Sequence, residues 1–220
     1  YVVKDRDRYP ALKRLLDFNP DIYGLVFCRT RRETAAVADK LMADGYSAEP
    51  LHGDLSQQQR DRVMGKFRDK TLQVLVATDV AARGIDVDDI THVIHYNLPE
   101  EVENYTHRSG RTARAGKKGI SVAITGSREG RKLSSIERII KTSFIPKKLP
   151  TPDQICEKQL MNLVEKMTAV EVNKEGIAKY LPAVMEKFDA ISKEELIERF
   201  VSAEFNKFLS YYAKSRNIDA

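Results

Sequence analysis

The sequence predicts an α/β domain built on a parallel sheet, followed by a small all-α helical domain. Three observations carry this. Short β-branched apolar runs alternate with amphipathic stretches through residues 1–145, the pattern of βαβ units. The runs are apolar throughout rather than alternating, as strands covered on both faces are. After Pro146, Pro150 and Pro152, only helical periodicity remains. These prolines mark a linker, which gives domains 1–147 and 152–220.

Each element follows from local chemistry. Tyr1-Val2-Val3 reads as a strand, and Leu25–Cys28 as a buried one. Thr30 with Glu33 forms a capping box for a helix whose apolar face is Ala35, Val37, Ala38, Leu41 and Met42, ended by Gly45. Ser47–Leu51 is a short strand. Ser56 with Gln59 caps a second helix carrying Val63, Met64 and Phe67. Gln73–Ala77 and His92–Tyr96 are strands, Val102–Arg108 is helical, and Ile120–Ile124 is the last strand. Glu129–Lys141 is a helix with Leu133, Ile136, Ile139 and Ile140 inward. Beyond the linker, helices are expected over about 153–168, 174–190 and 193–216, the last capped by Ser192 and Glu195.

Composition sets the class. The chain has 220 residues, 42% hydrophobic and 31% charged, as ordinary globular proteins do. No apolar run approaches the about 20 residues of a membrane span, and no basic-then-apolar leader opens the chain, so no membrane partner is expected. Cys28 lies in an apolar run and Cys156 is far away, which reads as reduced thiols in the cytoplasm. Because it starts at Tyr1 rather than Met, the chain reads as a fragment whose N-terminal neighbour is missing. Residues 1–150 hold 27 Lys+Arg against 20 Asp+Glu, net +7, and residues 151–220 hold 10 against 12, net −2. The first part therefore suits a polyanion partner.

In parallel sheets, chemistry gathers at the carboxyl ends of strands. Arg29-Thr30-Arg31, His52-Gly53-Asp54, Thr78-Asp79 and Asn97 each directly follow a predicted strand. His107-Arg108-Ser109-Gly110-Arg111-Thr112-Ala113-Arg114 adds three arginines and a histidine. Arg111 and Arg114, three apart, share one face of a helical turn. Their guanidinium forks suit phosphate, or else form a solvated basic turn. In Thr78-Asp79-Val80-Ala81-Ala82-Arg83-Gly84-Ile85-Asp86, Gly84 permits a positive φ, and Asp86 could accept from a ribose hydroxyl. A capped strand end with a loop glycine explains the same residues. Gly53 to Arg60, with Gln57, is either a phosphate-binding helix start or plain capping. His52 and His107 lack metal spacing, so no metal site is expected.

Taken together, Phe27-Cys28-Arg29-Thr30, His52-Gly53-Asp54 with Gln57 and Arg60, Ala77-Thr78-Asp79 with Arg83-Gly84-Ile85-Asp86, and His107 to Arg114 resemble the second RecA-like (P-loop NTPase-like) domain of DEAD-box ATP-dependent RNA helicases. His107 separates this branch from relatives that open the last motif with Gln. Ala113 departs from the Gly of many members. The resemblance implies two RecA-like domains closing on ATP and on single-stranded or duplex RNA. The phosphate-binding loop belongs to the first domain, and no G-x-x-x-x-G-K-[ST] run occurs here.

By the family pattern Arg111 and Arg114 are arginine fingers, and His107 couples nucleotide to RNA. Asp86 and Gly84 meet the ribose side of ATP, with Arg108 bracing the motif beside them. Thr30, Arg31, Gly53, Gln57, Arg60, Thr78 and Asp79 lie at the RNA backbone. Mg²⁺ is held mainly by the missing domain, and the fragment alone is not an ATPase. Unwinding would follow from bending one strand locally.

The last helix places Leu196, Ile197, Phe200, Val201, Phe205, Phe208, Leu209 and Tyr212 at helical spacing, widened by Tyr211. This is the core of a three-helix bundle or, in part, a homodimer surface through 152–220. It resembles more weakly the dimerisation segment of bacterial cold-shock-type DEAD-box proteins. A non-catalytic RNA-binding and dimerisation module is the alternative for the whole chain.

Overall fold

The computed structural model describes residues 1–113, 116 and 118–219. Five four-residue strands form one wholly parallel sheet in the order β2-β3-β1-β4-β5. They are β1 (Gly24–Phe27), β2 (Ala48–Leu51), β3 (Val74–Ala77), β4 (His92–His95) and β5 (Ile120–Ala123). Six helices accompany them: α1 (Arg8–Phe18), α2 (Arg31–Ala43), α3 (Gln57–Arg68), α4 (Asp79–Ala82), α5 (Asn104–Ser109) and α6 (Gly130–Ile140).

Side chains alternate along each strand, so each strand feeds two cores. Val26, Cys28, Val74, Val76 and Ile94 pack with Leu12 and Leu16 of α1 and Val37, Ala38 and Leu41 of α2. Leu25, Phe27, Leu75, Ala77 and Val93 pack with Val63, Met64 and Phe67 of α3 and Ala81 and Ala82 of α4. Leu98, Tyr105, Ala123 and Ile136 make a third cluster that seats α5 and α6. Both faces are covered, which explains the unbroken apolar strands.

Several local expectations are corrected. Thr30 caps α2, accepting from Glu33 N at 3.1 Å, but Glu33 does not close a capping box. Its carboxylate accepts instead from Arg29 N and Asn97 Nδ2, tying α2 to the exits of β1 and β4. The Ser56–Gln59 box is complete. Met42 and Ile139 face solvent, 43% and 42% exposed, while Thr34 takes an inward position in α2. Tyr1–Val3 makes only isolated bridges, Val2 with Thr125 and Val3 with Asp219. Helix α1 lies on the same face as α2 and is an element that the apolar pattern does not reveal.

The chain divides into two compact units, Tyr1–Leu149 with Ile218–Ala220, and Pro150–Asn217. The first unit runs past 147 because Leu149 is buried in its core and donates its N–H to Asp219 Oδ1 at 3.0 Å. Ile218 joins the same core. The second unit holds α7 (Pro152–Thr168), α8 (Lys174–Ile177), α9 (Leu181–Phe188) and α10 (Lys193–Ala213). The helix expected over 174–190 is two helices, because Pro182 has no N–H to continue a preceding turn and its ring opposes the carbonyl four residues back. Helix α7 packs along α10. Ile155, Phe205 and Tyr212 are buried there, whereas residues 164–190 are exposed throughout.

Candidate functional site

Parallel strands share one carboxyl edge, and the polar residues that follow them meet there. Phe27 is in register with Ala77 and His95, and Ala77 with Leu51. The chain order reverses at β1, with β3 on one side and β4 on the other. Such a switch point leaves a crevice at the strand ends.

Thr78 ends β3 and caps the single turn α4, its hydroxyl accepting from Ala81 N at 3.4 Å. That turn aims Asp79 at α5. Arg108 of α5 is only 2% exposed. Its Nε and Nη2 donate to the two Asp79 oxygens at 2.5 and 2.7 Å, and Nη1 donates to Asn97 O at 2.7 Å. The guanidinium lies 4.9 Å from the Phe27 ring centroid. A buried cation is tolerated only when paired and hydrogen-bonded, and this one is both. Arg108 therefore locks α5 to α4 and to the exits of β1 and β4. Its fork is directed inward, and Asp79 serves that pair.

An open cleft of about 260 Å³ lies beside this lock, lined by Arg83, Gly84, His107, Arg108 and Arg111, with Phe27 and Asp79. Gly84 takes φ +74°, a conformation that glycine adopts at no steric cost. The turn carries the buried Ile85, whose carbonyl accepts from Arg111 Nη1 at 2.7 Å. Arg111 is thereby steadied at the cleft wall. His107 is exposed on the same lining, and Asp86 is exposed just past the turn. Arg114 lies outside the described residues.

The residues expected at RNA fall into two groups. Thr30 is exposed at the start of α2, and Arg31 Nη1 meets Asp54 Oδ1 at 2.5 Å beside Gly53. Arg60 Nη2 donates to Ala81 O at 2.7 Å, which ties α3 to the α4 turn that Thr78 caps. Gln57 instead bonds Asp61 within its own helix.

Three supports went unnoticed in the sequence. His95 is fully buried on β4, stacked 4.4 Å from the Tyr105 ring and 6.2 Å from Phe27. Its Nε2 lies 3.3 Å from Ser109 Oγ and 3.2 Å from Ser121 Oγ, and Nδ1 has no hydrogen-bond partner among the described residues. Burial, then the Arg108 charge, hold it well below the ordinary histidine range, so it is neutral. A polar residue directly after Val93-Ile94, inside a strand expected to be covered on both faces, is its signal. Gly119 is the second. A Cβ there would lie 2.2 Å from Thr112 Oγ1 and 2.6 Å from Ala113 N, so only glycine lets β5 approach the turn after α5. The third is Arg8, whose Nη1 donates to Tyr96 O at 2.9 Å and Ile124 O at 2.8 Å.

Cys28 is a free, fully buried thiol that burial pushes well above its usual range. Among the described residues no group of three or more His, Cys, Asp or Glu is placed to hold a metal ion. None of the helices there is long and apolar enough to cross a membrane.

Comparison with known proteins bears on this edge. The family model of the helicase conserved C-terminal domain matches residues 7–116. A second, the helical domain of a probable ATP-dependent RNA helicase, matches residues 155–213. The DEAD-box ATP-dependent RNA helicase CshA of Bacillus thuringiensis (strain Al Hakam) is 40% identical over 178 residues, 81% of this chain and 34% of the relative. That of Bacillus subtilis (strain 168) is 38% identical over 193 residues, 86% of this chain and 39% of the relative. The chain thus spans between a third and two fifths of the length of these relatives.

Solved structures agree. A DEAD box protein from Methanococcus jannaschii is 49% identical, with a TM-score of 0.61 over 64% of this chain and 39% of that one. Escherichia coli SrmB, bound to regulator of ribonuclease activity A, is 34% identical, with a TM-score of 0.61 over 66% and 85%. Saccharomyces cerevisiae Dbp5 bound to RNA and ADP BeF3 is 28% identical, with a TM-score of 0.61 over 76% and 42%.

Proposed function

Because this chain belongs to the DEAD-box RNA helicases, as their C-terminal RecA-like domain with a helical domain after it, we propose that it supplies one jaw of an ATP site and part of the grip on RNA. The other jaw is a first RecA-like domain of the same protein. One observation carries the reading: Arg111, steadied by the Ile85 carbonyl, lines a cleft with Gly84 and His107 beside the Arg108–Asp79 lock. An arginine held at such a wall suits the charge that develops on a transferring phosphoryl group.

In this reading Arg111 is the finger toward the γ-phosphate, and Arg114 joins it by motif. Asp86 reaches the ribose, and His107 links nucleotide to RNA. Arg108 and Asp79 are positioning residues, since each is taken up by the other. Thr30, Arg31, Gly53, Gln57, Arg60 and Thr78 grip RNA phosphates without reading bases, so force is applied locally to one strand. The Mg²⁺ that accompanies ATP is held mainly by the first domain. The alternative of a non-catalytic RNA-binding module gives no purpose to retaining both Arg111 and Arg114.

RNA-stimulated ATPase activity tests this. The chain alone is expected to show none, and the chain joined to its first RecA-like domain to show full turnover. Arg111→Ala in the joined protein should lower turnover about 10³-fold or more while sparing RNA binding. Unchanged turnover refutes the finger.

The helical unit is read as a homodimerisation element. Its support is an apolar surface that its own fold leaves uncovered: Ile197 is 52% exposed, Tyr211 49% and Leu209 43%, with Met185 at 61%. Sedimentation at micromolar concentration should give a dimer, and a strictly monomeric profile refutes it.

A further inference from the structure

A second hollow opens on the same carboxyl edge, at the end away from the cleft. It measures about 480 Å³ and is lined by Lys4, Arg29, Ser127 and Arg128, with Arg8 and Glu129. Lys4, Arg29 and Arg128 are exposed, and their side chains have no hydrogen bond or ion pair among the described residues. The two carboxylates of the lining, Asp5 and Glu129, bond to Arg8 rather than to these three. Glu129 Oε2 accepts from Arg8 Nη2 at 2.5 Å and from Gly126 N at 2.7 Å, while Asp5 Oδ1 accepts from Arg8 Nε at 3.1 Å. Arg8 thus engages both acids, and the lining carries four cations against two carboxylates, a net charge of +2, around an open, polar hollow. Lys4, Arg29 and Arg128 come from three separate segments: ahead of α1, at the exit of β1, and after β5. Arg29 is also the chain neighbour of Thr30.

We propose that this hollow binds phosphates of single-stranded RNA and extends the cradle at Thr30 from the exit of β1 to the loop after β5. The proposal rests on the reading that this edge holds RNA. A single free anion needs donors that converge on one point. Here Gly126 N, one backbone donor in the hollow that would help to make such a nest, is already taken by Glu129. Cations from three segments around an open hollow suit a run of phosphates, each a counterion-releasing contact.

The experiment measures binding of a long oligouridylate to the chain joined to its first RecA-like domain, by fluorescence anisotropy across a potassium chloride series. The double substitution Arg29→Gln with Arg128→Gln is expected to weaken binding and to lower the slope of log K against log salt by about 1.4, about 0.7 for each lost phosphate contact. Lys4→Gln alone should lower it by about 0.7. All three side chains are exposed, so folding is not at stake. An unchanged slope in these variants, with Arg60→Gln still weakening binding, overturns the hollow and leaves the cradle standing. If Arg60→Gln and Thr30→Val also leave binding unchanged, the RNA reading of the edge falls with it. Calorimetric binding of inorganic phosphate that the double substitution abolishes, with the RNA slope unchanged, overturns the proposal in favour of a free-anion site.

Discussion

The two ends of the carboxyl edge are built alike. Each rests on one buried arginine that clamps carbonyls at the exit of β4. Arg108 takes Asn97 O and Arg8 takes Tyr96 O, neighbouring residues reached from two different helices. Each arginine also consumes carboxylates, Asp79 for Arg108, and Asp5 and Glu129 for Arg8. They differ in what they leave open. Arg108 stands beside a cleft with Arg111 on its wall, while Arg8 borders a hollow with Lys4, Arg29 and Arg128 exposed around it. A buried arginine in this fold thus organises the site and leaves ligand contact to its neighbours.

Truncating the two clamps should break this likeness by degree. Arg108 is the more buried, and its bidentate partner Asp79 is itself mostly covered, its side chain 28% exposed. Arg108→Ala should cost about 3–5 kcal/mol, the range for breaking a buried pair. Asp5, one partner of Arg8, is 87% exposed in its side chain and recovers water when the pair is lost. Arg8→Ala should therefore fall about 1 kcal/mol short of that. Urea denaturation of both variants checks the order, and equal losses would mean that the carbonyl bonds, not the ion pairs, set the cost.

His95 ends β4 just ahead of the two clamped carbonyls and titrates against burial and the Arg108 charge. The groups facing it are Arg108, Ser109, Ser121 and Tyr105, none of them an acid. Because its folded pKa is held below the ordinary 6.5, the unfolded chain binds the proton more readily. Its neutral form favours the fold fully above pH 6.5, and stability falls as the pH drops below that value, by at most about 1.4 kcal/mol per pH unit. Burial lowers His92 as well, so it contributes in the same direction. His95→Phe keeps a ring on Tyr105 and should flatten the stability profile between pH 6.5 and 5. An unaltered acid limb would assign the loss to His92.

What could be read in advance followed the same division. The strands and the helices α2, α3 and α6 announced themselves because their buried residues are apolar and correctly spaced. The motif arginines stood out because so many charges in so few residues need a partner. Helix α1 stayed hidden because Arg8, Lys13, Arg14 and Asp17 are buried alongside Leu12, Leu15 and Leu16, which erases the contrast between faces. Its cap Asp7 makes no side-chain bond to the helix start either. The hollow followed α1 into obscurity, since Lys4, Arg29 and Arg128 are far apart in sequence and only the fold assembles them. The Arg108–Asp79 pair is a mixed case, since Arg108 is expected to brace its motif but Asp79 is expected at the RNA backbone. What the sequence leaves open is the partner, and the fold brings Asp79 and Arg108 together so that each is taken up by the other.

The smallest effect concerns the turn after α5. Ala113 takes φ +57°, the left-handed region. A Cβ there crowds the following carbonyl and costs about 1–2 kcal/mol. Ala113→Gly removes that strain but gives the unfolded chain more freedom, worth about 0.4–1 kcal/mol the other way. The variant should therefore be more stable by about 0–1.6 kcal/mol, read as a rise in the urea midpoint with an unchanged slope. The turn is fixed on both sides, by the Thr112 hydroxyl donating to Ile90 O and by the close approach of Gly119. Those contacts hold the left-handed residue in place whichever side chain it carries. A loss of stability in Ala113→Gly would mean that the alanine methyl makes packing contacts worth more than the strain it imposes.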